Sequence, residues 1–93
     1  MKPSQLKIGR VYFGLAYEDD DFTRPIVNSY EYLGVDIDEA LKTPEGKQYF
    51  FRFIGSDERL QLKEHQLPHL ILDVLGLAEE LKRWAETQTA RSQ

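Results

Sequence analysis

Hydrophobic residues change their spacing once along this chain, near Pro68. From Arg10 to Lys63 they recur at every second position, and after Pro68 at every third and fourth. Alternation by two belongs to strands, whose side chains point to opposite faces in turn, and stepping by three and four belongs to helices. A chain that switches from one to the other is an α+β protein with its strands first. We expect a small, strongly twisted antiparallel sheet or open barrel of four or five strands, followed by a C-terminal amphipathic helix.

In Arg10–Tyr17, Val11, Phe13, Leu15 and Tyr17 fall on one side, which reads as the core stripe, with Gly14 and Ala16 on the back. Small residues there would let another element pass closely. The next strand, Ile26–Leu33, puts Ile26, Tyr30 and Tyr32 on one face and Ser29 and Glu31 on the other, and Gly34 closes it. Its β-branched and aromatic content suits a pleated surface. Asp36 and Glu39 have the spacing that caps one helical turn, and Thr43-Pro44-Glu45-Gly46 reads as a tight turn. In Gln48–Ile54, Tyr49, Phe51 and Phe53 point one way and Gln48 and Arg52 the other. Arg59–Lys63 alternates strictly, with Leu60 and Leu62 inward.

Past Pro68, a residue suited to a first helical turn, the stripe is Leu67, Leu70, Ile71, Val74, Leu77, Leu81, Trp84 and Ala85. Gly76 costs about 1 kcal/mol relative to Ala inside a helix. The pattern therefore predicts a short helix, a break near Gly76, and a main helix from about Leu77 to Thr87. Ninety-three residues fit one domain: strands over about 6–63, a helical region over about 68–88, and a frayed tail at 89–93. Such a barrel is filled by side chains and encloses no ligand, so binding would fall to its loops and outer surfaces.

Charge is spread unevenly. Residues 1–17 carry three cations and no acid, whereas residues 18–45 carry nine acids against Arg24 and Lys42. An acidic middle disfavours nucleic acid, whose affinity for proteins rests on Lys and Arg, and would steer a basic protein partner. The absence of cysteine excludes disulfides, thiolate zinc sites and a cysteine nucleophile. No segment resembles a signal peptide or reaches the length of a membrane span, so a cytoplasmic protein is expected.

Motifs that carry chemistry fail on inspection. His65 and His69 are four apart, but Pro68 between them marks a helix start and no third ligand is evident. A calcium loop beginning at Asp20 would place Glu31 at its twelfth position, yet Phe22 and Pro25 occupy its third and sixth. Asp73, between Leu72 and Val74, falls on the outer side of a helix, so no carboxylate pair sits in an apolar frame. Ser4, Ser29, Ser56 and Ser92 lack a nucleophile elbow, and Gly9 and Gly14 are isolated rather than part of a phosphate cradle. We expect no enzyme, no metal and no cofactor. Tyr12, Phe50 and Arg52 lie opposite the inferred core stripe; they would either stack single-stranded bases or be covered by the C-terminal helix.

The run Lys7-Ile8-Gly9-Arg10-Val11, a strand, a polar loop and a Tyr-rich strand ending Leu33-Gly34 resemble the start of Src-homology-3-like small barrels. Pro25 to Gly34 also resembles a strand of short bacterial proteins, Pro-[Ile/Val]-x-x-Tyr-x-Tyr-Leu-Gly. The resemblance covers about a third of the chain and implies a binding module, although Trp84 lies in the helix, unlike the tryptophan of peptide-binding members. The expectation is a non-enzymatic protein-interaction module, regulatory or toxin-neutralising, that is a monomer or weak homodimer. Its contact residues would be Asp19, Asp20, Asp21, Arg24, Tyr12 and Arg52. The alternatives are a single-stranded nucleic-acid binder and a scaffold self-associating through Leu72 and Leu75.

Overall fold

The structure, a computed structural model, describes residues 1–42, 44 and 46–91. Four strands, β1 (Val11–Tyr17), β2 (Pro25–Val35), β3 (Gln48–Phe53) and β4 (Arg59–Lys63), pair antiparallel in chain order. A short helix α1 (Leu67–Leu70) and a long helix α2 (Val74–Arg91) follow. The sheet is a curled half-barrel, so the expected α+β class holds. Thr43 and Glu45 of the expected turn, and Ser92 and Gln93 of the tail, lie outside the described residues.

The curl has a local cause. Between Tyr32 and Gly34 the register of β2 against β3 slips, and such an extra residue bends a strand and tightens its twist. Gly34 takes φ +135°, and a Cβ there would lie 2.8 Å from Ile37 Cγ2, so a side chain is excluded by conformation and by space. Pro25 opens β2, where its missing N–H breaks no ladder.

The concave face is aromatic. Tyr12, Tyr30, Tyr32, Tyr49 and Phe51 pack with Leu62, Leu67 and Ile71 into one cluster. Rings meet edge-on or tilted, with Tyr30–Phe53 centroids 5.0 Å apart and Tyr32–Phe51 5.2 Å apart, arrangements the ring quadrupole favours. α1 plugs the open mouth, since Leu67 and Ile71 are 0 % exposed. Leu72 then lies beside β1 and exchanges both backbone bonds with Phe13, 2.8 and 2.7 Å long. That single pair covers part of the β1 edge, which would otherwise present unpaired amides.

Three expectations are corrected. First, β1 is turned over: Tyr12 and Gly14 are buried in the concave face, while Val11 is exposed and Phe13, Leu15 and Tyr17 are half-buried. Gly14 explains this, because the ring of Tyr30 lies over it and an added Cβ would sit 2.8 Å from Tyr30 Oη. The element that passes closely is an inward ring. Second, the main contact of α2 is with β1, so the helix does not spread chiefly over β3. Phe50 is nevertheless buried, apart from the main cluster.

Third, the helical break falls at Ile71–Asp73, and Gly76 lies inside α2. Asp73 is the reason: its carboxylate accepts from the Gly76 amide at 2.7 Å and its carbonyl from the Leu77 amide at 2.9 Å. A side-chain oxygen satisfying an orphan amide of the first turn is a helix N-cap. Asp73 therefore begins the helix instead of lying on its outer side. α2 also continues through Thr89 and Ala90 instead of fraying after Thr87. An 18-residue helix is about 27 Å long, and the molecule measures 53 × 25 × 23 Å.

Candidate functional site

The six residues singled out by sequence do not gather. Tyr12 belongs to the core at 4 % exposed; its hydroxyl accepts from the Lys7 amide at 2.8 Å and donates to the Gln5 carbonyl at 3.3 Å. A buried phenol needs such partners, so its role is structural. Arg52 sits on the outer face directly across from Glu31. Its Nη2 is 3.0 Å and its Nε 3.2 Å from one Glu31 oxygen, and its Nη1 donates to the Ser56 carbonyl. This charged cross-strand pair ties β3 to β2 and to the following turn. Tyr12 is enclosed, and Arg52, whose side chain is 36 % exposed, is engaged with Glu31 and the following turn instead of with the acidic loop.

Asp19, Asp20, Asp21 and Arg24 do share the β1–β2 loop. Asp19 is engaged within it, accepting from the Thr23 hydroxyl, from the Thr23 amide at 2.9 Å and from the Arg24 amide at 3.0 Å. The Thr23 hydroxyl, with those amides, holds the Asp19 carboxyl below its ordinary value by stabilising the anion. Asp20, Asp21 and Arg24 are exposed.

The loop is held from a direction the sequence did not announce. Phe22 adopts φ +57°, uncommon for a bulky residue, and the residue is 54 % exposed. Its carbonyl accepts two bonds from α2, from Trp84 Nε1 at 2.6 Å and from Gln88 Nε2 at 3.2 Å. The Phe22 ring stands edge-to-face on Tyr17, centroids 5.1 Å apart at 84°. Between loop and helix lies an open hollow of about 200 Å³, bordered by Tyr17, Phe22 and Trp84 and by Glu80 and Arg83. Glu80 and Arg83 form an exposed ion pair at 3.1 Å.

Sequence reasoning read Trp84 only as part of a helical stripe and passed over Phe22. The available signal was an aromatic residue set between acids and Thr23-Arg24-Pro25, with no strand to bury it. A second hollow, of about 290 Å³, borders Lys7, Arg10, Val11, Asp73 and Val74, but the Asp73 carboxylate already occupies the amide there. His65 lies in the 3₁₀ turn before α1 and His69 within it, both exposed. Among the described residues, no group of three or more His, Cys, Asp or Glu is placed to hold a metal ion, and no helix is long and apolar enough to cross a membrane. No protein-family model matches this chain, and no match to it was found among curated proteins or solved structures.

Proposed function

We propose that this chain is a protein-interaction module that takes a basic segment of another protein on the β1–β2 loop and the adjoining part of α2. The observation that carries the reading is the convergence of Trp84 and Gln88 on the Phe22 carbonyl. It fixes an acidic loop beside three aromatic rings before any partner arrives. A preorganised loop loses less entropy on binding, and the run Glu18-Asp19-Asp20-Asp21 attracts positive charge. The curled half-barrel is compatible with a small barrel fold, and the loop is where such a filled barrel would offer a binding surface. A cytoplasmic, regulatory or toxin-neutralising role belongs to the same proposal.

Calorimetric titration of the full chain with lysine-rich and glutamate-rich peptides of equal length tests it. Binding of the lysine-rich peptide alone is expected, weakened by salt and by the double substitution D20N/D21N. Equal binding of both peptides, or of neither, defeats the proposal. Self-association is a second reading, favoured by the exposure of the adjacent Val74 and Leu75, 63 % and 73 %. A sedimentation coefficient independent of concentration would remove it. The single-stranded nucleic-acid alternative loses Tyr12 as a stacking platform, because that ring is in the core.

A further inference from the structure

We infer that the hollow between Phe22 and Trp84 receives the side chain of one lysine from the partner segment; this rests on the interaction-module reading above and names what the module recognises. The volume of about 200 Å³ is below the roughly 300–1,000 Å³ of sites for cofactors and drug-sized molecules, so the occupant is one side chain. Its apolar border is aromatic: Tyr17, Phe22 and Trp84. Aromatic faces attract a cation through the ring quadrupole, Trp most strongly, and the methylenes of a lysine pack on the same rings while its ammonium reaches polar atoms at the rim.

The rim supplies the counter-charge. Glu80 borders the hollow, and Asp19, Asp20 and Asp21 immediately precede Phe22 in the chain. Among the described residues on the border the cation is Arg83, whose side chain is 70 % exposed and which pairs with Glu80 from the same helix at 3.1 Å. Exposed pairs of this spacing are weak, so an incoming ammonium can replace Arg83 at Glu80. A lysine ammonium is a compact point charge with three donors, able to meet the Glu80 carboxylate at the rim while its stem lies along the rings.

Trp84 is the single tryptophan of the chain, so its fluorescence reports on this hollow directly. The full-length chain is titrated with a lysine-containing peptide and with the same peptide bearing Nε-acetyl-lysine, with calorimetry in parallel. The lysine peptide is expected to change Trp84 emission saturably, and the acetylated one to have no effect at the same concentration. Glu80→Gln should weaken binding, and Phe22→Ala should weaken it about two- to five-fold, as loss of one cation–π contact predicts. Arg83→Gln should tighten it by removing the competitor, an outcome that a merely structural role for Arg83 would not produce. Circular dichroism confirms that each variant is folded. Equal responses to the two peptides, or weaker binding by Arg83→Gln, overturn the inference. Calorimetric binding with unchanged Trp84 emission overturns the placement in this hollow and leaves the module standing, whereas no binding at all overturns both.

Discussion

The concave face of the sheet and the junction of α2 with the β1–β2 loop both hold aromatic residues, under opposite conditions. In the first, Phe51, Leu67 and Ile71 have no exposure and four tyrosines are nearly enclosed. In the second, no described side chain of α2 is buried; Trp84 and Gln88 of α2 donate to the Phe22 carbonyl, and the Phe22 ring stands on Tyr17 of β1. Burial makes aromatic area into stability, at about 25 cal/mol per Å² of apolar surface removed from water. Aromatic area left at a rim, under a strained loop, contributes little to the fold and remains available to a ligand.

If this division is right, truncation in the concave face is felt by the whole molecule. Phe51→Ala empties the centre of the cluster, and such changes cost about 3–5 kcal/mol. That is a large part of the total stability of a small domain. Denaturant unfolding should give a sharply lowered midpoint or no folded baseline. A loss below about 1 kcal/mol would erase the distinction between the two regions.

Alkaline pH attacks the same face without mutation. Burial raises the Tyr30 and Tyr32 phenols above their ordinary value, and burial with the nearby charge of Glu64 raises Tyr49. An unfolded tyrosine titrates near pH 10. Above that pH the unfolded chain gives up protons that the folded core retains, so stability falls as pH rises through 10 towards the folded values. Below pH 10 the contribution is intact. Unfolding followed by circular dichroism should coincide with a cooperative rise in tyrosinate absorbance, while phenols ionising in a chain that stays folded would contradict the enclosed core.

Gly14→Ala brings a methyl against the Tyr30 ring, 2.8 Å from its hydroxyl oxygen. Overpacking of this kind costs about 1–3 kcal/mol, readable as a lowered thermal midpoint. The position also shows why β1 was misread. Both faces of Val11–Tyr17 carry apolar residues, so alternation alone cannot select the inner one, and glycine looks like a gap when its space is filled by a ring from β2. In β3 and β4 the alternation was decisive because Gln48, Arg52, Arg59 and Gln61 oppose Tyr49, Phe51, Leu60 and Leu62. The start of α2 depended on one carboxylate, Asp73, whose capping bond outweighed the helical stripe on either side. Of the candidate site, the acidic loop was legible as charge. Its anchoring was not, because a backbone carbonyl turned outward by a positive φ leaves no trace in side-chain pattern.

The smallest effect is expected at the junction itself and is the most discriminating. Trp84→Phe keeps an aromatic ring but removes the indole N–H that donates to the Phe22 carbonyl. One hydrogen bond contributes about 0.5–1.5 kcal/mol, and the remaining donor, Gln88, still reaches the carbonyl. The global unfolding midpoint should therefore move little. Local opening is set by local contacts and need not follow global stability, so amide exchange should accelerate over residues 18–24 and the second half of α2. It should stay unchanged at Tyr30, Phe51 and Leu62. Acceleration spread equally through the sheet would mean that the loop and helix open only with the core, making the junction part of the framework instead of a separately held recognition surface.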